Sequence, residues 1–209
     1  MAKVVPAILE SSASEYRKKL NLIRQLTDRF QLDIVDGEFV DNKTILPQDI
    51  EPPSGLKLDL HLMVAHPNEH IGYAIKLRPY TIIVQYEAVD GVAEAIERIS
   101  KGGIRAGIAI NPDTPVSALE PLLPQLSHVL VMAYPAGFAG QKLQPGALKK
   151  VAELRALNAD LEIGLDGGVS DDTLKKIAVA KFDIVCTNSY LFGAESVLTR
   201  YHELIAALS

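Results

Sequence analysis

Eight short β-branched apolar runs, amphipathic stretches after nearly all of them, and capping residues at several helix starts predict an α/β fold, a closed (β/α)8 TIM barrel. The predicted strands are Val4–Leu9, Phe30–Asp36, Lys57–Val64, Tyr80–Ala88, Arg105–Ile110, His128–Pro135, Glu162–Gly167 and Phe182–Asn188. Helical spacing of apolar residues covers Ser14–Arg29, Pro67–Leu77, Val92–Lys101, Pro115–Leu123, Pro145–Leu157, Asp171–Ala180 and Ser196–Leu208. Asp113-Thr114-Pro115 sets a capping residue ahead of a first-turn proline, and Ser170-Asp171-Asp172 supplies a cap with first-turn acids. Gly102-Gly103 ends the helix before the fifth strand. Between the second and third strands, Asp41–Gly55 carries Pro47, Pro52 and Pro53 and has room only for a short helix. An open doubly wound sheet is the competing architecture, but the first strand runs into Glu10-Ser11-Ser12 and lacks the glycine fingerprint of a dinucleotide fold.

The chain has 209 residues, a length that suits one domain spanning 1–209. A net charge of −5 argues against a nucleic-acid partner, which requires a basic surface to neutralise phosphates. One cysteine excludes an internal disulfide and a cysteine-rich zinc site. No apolar run approaches the roughly 20 residues needed to span a bilayer, so no membrane partner is expected. The start MAKVVPAIL lacks the apolar core of a signal peptide, and the expected setting is cytoplasmic.

Strand residues alternate faces, so parity separates the barrel interior from the helix-facing side. In the third strand Leu58, Leu60 and Leu62 share one face, leaving Asp59, His61 and Met63 to point inward. The same reasoning sends Gln31, Asp33 and Val35 inward from the second strand, Gln85 and Glu87 from the fourth, and Asp166 from the seventh. Barrel interiors are normally filled by branched apolar side chains. For any one of these polar residues a satisfied structural role is the plainer explanation. Asp33, His61, Gln85, Glu87 and Asp166 converging from four strands favour a functional site, because buried carboxylates are costly unless paired, protonated or metal-bound. Two carboxylates on opposite walls suit removal and return of a proton at a carbon next to a carbonyl, and a histidine between them suits a divalent metal.

Three loops that follow adjacent strands have the composition of anion-binding turns: Pro135–Gln141, Asp166-Gly167-Gly168-Val169 and Thr187-Asn188-Ser189. Barrels commonly seat phosphate on backbone N–H groups after the seventh and eighth strands. Other conspicuous residues fit ordinary roles. Cys186 reads as a buried small hydrophobe, Lys149-Lys150 and Lys175-Lys176 as solvated helix faces, and His66, His70, His128 and His202 as solvated or capping histidines.

Taken in order, these segments resemble the ribulose-phosphate 3-epimerase family. Val5–Leu9 is similar to the family's opening strand, Leu32–Val40 to its "VDVMDGRFV" segment and Leu58–Val64 to "LDVHLMV". Asn111–Pro115 matches "NPxTP", Gly137–Gln141 "GFGGQ", and Leu165–Val169 "VDGGV". The resemblance implies a ribulose-phosphate-binding type of barrel that interconverts D-ribulose 5-phosphate and D-xylulose 5-phosphate, a step of the pentose phosphate pathway. It implies Asp33 and Asp166 as the acid and base at C3. It also implies a divalent metal (Zn, Fe or Mn) on Asp33, His61, Asp166 and a fourth position occupied here by Gln31. Ala7, His61, Met63, Met132, Gly137, Phe138, Ala139, Gly140, Gly167, Gly168, Asn188 and Ser189 would contact the sugar or its phosphate, and a homo-oligomer is implied. The sequence departs from the family at Gln31, which stands where it has histidine, and at Ala7, where it has serine. Gln85 replaces another family histidine, Ala139 and Asn188 replace glycines, and Pro135-Ala136 stands for Asn-Pro. These departures keep two alternatives open: a phosphosugar-binding barrel without catalysis, and an epimerase of another phosphorylated sugar. The lysine-containing "DxKxxD" pattern of decarboxylases on this barrel is not met by Asp59–Val64.

Overall fold

The apolar runs form eight parallel strands: β1 (Lys3–Ile8), β2 (Arg29–Val35), β3 (Lys57–Met63), β4 (Thr81–Gln85), β5 (Arg105–Ile110), β6 (His128–Met132), β7 (Glu162–Asp166) and β8 (Ile184–Thr187). Each pairs with the next and β8 pairs with β1, so the sheet closes into the expected barrel. This is a computed structural model, and it describes residues 2–138 and 140–209. The helices are α1 (Ala13–Ile23), α2 (Pro67–Lys76), α3 (Val92–Lys101), α4 (Pro145–Leu157), α5 (Asp171–Ala180), α6 (Ser189–Phe192) and α7 (Val197–Leu208). Among the described residues no helix is long and apolar enough to cross a membrane.

Most differences from the sequence expectation are at element ends. Helix α1 stops at Ile23, short of Arg29, because Arg29 is the first residue of β2 and the intervening turn is closed by Leu26 and Thr27 N–H groups on the Ile23 carbonyl. The helix expected over Pro115–Leu123 is instead two short 3-10 turns, Val116–Leu119 and Leu123–Gln125. Pro121 and Pro124 each remove a backbone donor and prevent a continuous helix. The proline-rich stretch between β2 and β3 holds only a 3-10 turn, Pro47–Asp49. Strand β4 ends at Gln85 and β6 at Met132, earlier than their apolar runs.

Closure divides the core in two. Leu58, Leu60, Leu62, Ile34, Val84 and Ile163 belong to a shell packed between strands and helices, while Val5, Ala7, Val35, Met63, Ile83, Leu130, Met132, Ile184 and Cys186 fill the barrel. Cys186 is fully buried, as expected, and burial pushes its thiol pKa well above the usual value.

The N-terminal end of the barrel is closed by ions. Arg29, 6% exposed, donates through Nε to Asp59 Oδ2 at 2.6 Å and through Nη1 and Nη2 to the two Glu162 oxygens at 2.7 and 2.8 Å. Arg29 and Arg105 lie over the Tyr80 ring at 4.9 and 4.5 Å. His128, expected in solvent, begins β6 and is wholly buried, with Nδ1 3.2 Å from Glu162 Oε2. Space for its ring comes from Gly107 and Gly164, where a Cβ would lie 3.3 and 3.1 Å from imidazole carbons. Lys150, expected on a wet helix face, is also buried and donates to the Thr114 carbonyl. It sits on the α4 face turned to the barrel, alongside Ala147, Val151 and Leu154.

Burial would raise the Glu162 carboxyl pKa, but its hydrogen bonds from Arg29 outweigh that and hold it well below the usual carboxylate range. The stabilisation from this pair is therefore complete above the ordinary carboxylate pKa and fades only as pH falls towards the depressed value. Arg29→Met should lower the unfolding free energy at neutral pH by about 3–5 kcal/mol, because Asp59 is left buried without a partner. Urea unfolding checks this, and an unchanged midpoint would show that the floor does not depend on the guanidinium.

Candidate active site

At the C-terminal end, the inward positions of β2, β3 and β7 bring Asp33, His61 and Asp166 together. Each offers a ligand atom, and these atoms lie within 4.8 Å of one another. Strand register sets this up by pairing Asp33 with His61 directly. His61 Nδ1 is 3.1 Å from Asp33 Oδ1 and 3.5 Å from Asp166 Oδ2. Gln31, one inward position below Asp33, donates through Nε2 to Asp33 Oδ1 at 2.8 Å and to Asp166 Oδ2 at 2.9 Å. A single neutral amide thus bridges both carboxylates.

The electrostatics follow from burial of like charges. Desolvation, reinforced by the charge of Asp166, raises the Asp33 pKa. Burial works against the His61 imidazolium, but hydrogen bonds and charge from Asp166 and Asp33 win and raise its pKa to about 10. A compact N,O donor set of this kind could hold a divalent ion at Asp33, His61 and Asp166. The fourth position fits in part. Gln31 Oε1 is buried with no partner, and rotation of the amide would turn that oxygen towards the carboxylate pair.

Above the acids opens a cavity of about 620 Å³. Of the expected site residues, the acids Asp33 and Asp166 and the contact residues Ala7, Met63 and Met132 line the cavity. Gly137, Phe138, Gly140, Gly167, Gly168, Asn188 and Ser189 line its walls and rim. Ala139 lies outside the described residues. Gln31 and His61 are fully buried and lie behind this lining. Gly167 has φ of 78°, and a Cβ there would collide with the Tyr134 hydroxyl. Tyr134 is a lining residue that the sequence reasoning missed. Its signal was available, since it continues the inward series His128, Leu130 and Met132.

The loops around the mouth are tied to one another. Asp36 accepts the Glu38, Phe39 and Ala65 N–H groups, which fixes the turn after β2. Asn42 Nδ2 donates to the Gly137 carbonyl at 2.8 Å, and Ala136 N donates to Asn111 Oδ1 at 3.1 Å. The loop after β6 is therefore held from both sides.

The sequence profile of the ribulose-phosphate 3-epimerase family matches residues 3–192. Ribulose-phosphate 3-epimerase of Bacillus subtilis is 32% identical over 202 residues, covering 92% of this chain and 93% of the relative. The cytoplasmic isoform of ribulose-phosphate 3-epimerase from Oryza sativa subsp. japonica is also 32% identical, covering 92% and 88%. Among solved structures, 3-keto-L-gulonate-6-phosphate decarboxylase from Vibrio cholerae superposes with a TM-score of 0.76 at 12% identity, covering 99% of this chain and 97% of that one. At that identity the likeness bears on the barrel alone.

The donor set yields a direct test. Gln31→His should tighten Zn²⁺ binding by about tenfold or more, since imidazole is the better ligand for a borderline ion. Titration calorimetry reads this, and unchanged affinity would remove position 31 from the ligand set.

Proposed function

The chain belongs to the ribulose-phosphate 3-epimerase family, and from that premise we propose that residues 1–209 act as one domain that interconverts D-ribulose 5-phosphate and D-xylulose 5-phosphate. The observation that carries this reading is the pair Asp33 and Asp166, buried, facing each other through Gln31 and His61, at the base of a cavity walled by glycine loops. Epimerisation at C3 needs one carboxylate to take a proton and one carboxylic acid to return a proton on the other face. Two acids in one buried site meet that need, because burial and the charge of Asp166 raise the Asp33 pKa.

In this reading the phosphate lies against the backbone of Gly137, Phe138, Gly140, Gly167-Gly168 and Asn188-Ser189, the left-handed glycines allowing close approach. That anchor sets C3 over the acid pair. A divalent ion, when bound, supplies Lewis-acid stabilisation of charge on the oxygens next to C3. Asp33, His61 and Asp166 would hold it, with the Gln31 oxygen as a weak fourth donor; Zn²⁺, Fe²⁺ and Mn²⁺ are the candidates. Ala7 at the base of the cavity leaves the sugar without the hydroxyl contact that serine would give. A cytoplasmic setting and self-association belong to the same reading.

The decisive experiment is proton NMR of D-ribulose 5-phosphate in D₂O with the protein, with Zn²⁺, Fe²⁺ or Mn²⁺ added separately. Deuterium should enter C3 and xylulose 5-phosphate should accumulate. Bound phosphosugar with no exchange under any metal would instead favour a binding protein, and exchange only with a different ketose phosphate would move the substrate. Asp166→Asn should abolish exchange; if exchange persists, Asp166 is not one of the two proton carriers.

A further inference from the structure

His61 has a second face, turned away from the acids. Its Nε2 lies 3.1 Å from Gln85 Oε1, the inward residue at the end of β4. Gln85 Nε2 donates in turn to Glu87 Oε2 at 2.5 Å. The other oxygen of Glu87 accepts the Asn111 backbone N–H at 2.9 Å and the Thr114 hydroxyl. All of these residues except Glu87, Asn111 and Thr114 are fully buried. The members of this polar chain come from β3, β4 and the loops after β4 and β5, and beyond His61 none of them touches Asp33 or Asp166.

The polarity of the chain follows from its outer end. A backbone N–H can only donate, so Glu87 Oε1 accepts. As a carboxylate, Glu87 must also accept at Oε2, and its neighbour there has to be the NH₂ of Gln85. That orientation turns Gln85 Oε1 to His61, and an oxygen acceptor facing Nε2 requires a proton on Nε2. The remaining nitrogen, Nδ1, is then the one presented to Asp33 and Asp166. Neither the amide orientation nor the tautomer is free once Glu87 is anchored.

We propose that Gln85 and Glu87 are positioning residues that keep the proton on His61 Nε2 and so commit Nδ1 to the space between Asp33 and Asp166. Nε2–H persists whether Nδ1 carries a proton or faces a metal, so the ring enters either state without turning. The chain also extends beyond Glu87, since Asn111 holds the Ala136 N–H through its side chain. The nitrogen aimed at the acids and the loop after β6 are therefore braced by one set of hydrogen bonds. The choice of nitrogen rests on geometry alone; only its value to a metal ion rests on the proposed function.

The test uses the full-length, metal-free protein with ¹⁵N-labelled histidine, titrated with Zn²⁺. The Nε2–H of His61 should exchange slowly with water before and after the addition, while Zn²⁺ shifts the Nδ1 resonance. Gln85→Leu should speed Nε2–H exchange and weaken Zn²⁺ binding about 10–100-fold, the usual effect of removing a hydrogen-bond partner behind a ligating histidine. Glu87→Gln, which keeps the shape and removes the charge that sets the polarity, should change exchange in the same direction and guards against a folding defect in the leucine variant. Zn²⁺ shifting Nε2 while Nδ1 stays protonated would overturn the proposal, as would exchange that neither variant alters. A protected Nε2–H lost in both variants, with no Zn²⁺ shift at either nitrogen, would uphold the hydrogen-bond chain and count against the metal in the proposed function.

Discussion

Closure of the sheet is the constraint on which the rest of this structure depends. Once β8 pairs with β1, every second residue of every strand is confined to one narrow interior, and side chains far apart in sequence must share it. Asp33 and Asp166 are 133 positions apart, yet one Gln31 amide reaches both. Such an interior tolerates polar groups only where they satisfy one another. At the base of the cavity, carboxylates, an amide and an imidazole do so; at the opposite end, a guanidinium is clasped by two acids.

The two polar levels differ in character. The floor is ion-paired, and Arg29 makes both of its ion pairs within hydrogen-bonding distance. The upper level mixes a neutral amide with an imidazole: Gln31 and His61 each face both acids, and burial beside Asp166 raises the Asp33 pKa. Ion-paired groups at one end and hydrogen-bonded titratable groups under a cavity at the other match the usual division of a barrel into a stabilising face and a reactive one. The intervening apolar filling, Val5, Ile83, Leu130 and Ile184 among it, insulates one from the other.

Parity made the upper level legible in the sequence, because the Leu58-Leu60-Leu62 face leaves His61 no direction but inward, and the same applies to Asp33 against Leu32 and Ile34. The glycine loops were legible from composition and their place after adjacent strands. The floor was not. Arg29 was absorbed into the helix before it, and His128 was assigned to solvent although it opens the inward series continued by Leu130 and Met132. Arg29 becomes intelligible only when β2, β3 and β7 stand side by side and supply its acids. The direction of the Gln31 amide was equally hidden, because a glutamine carries donor and acceptor alike and only its neighbours choose between them.

The ion-paired floor closes off the far end of the barrel. With Arg29, Asp59 and Glu162 paired across it, the acids face the cavity above them. Groups that enter through this cavity are ordered by depth. An ion held by Asp33, His61 and Asp166 would lie deeper than a molecule seated in the cavity, and that molecule would stand between it and the solvent. Occupancy of the cavity would therefore slow escape of the ion without adding a bond to it, and a chelator would strip the empty protein faster than the filled one.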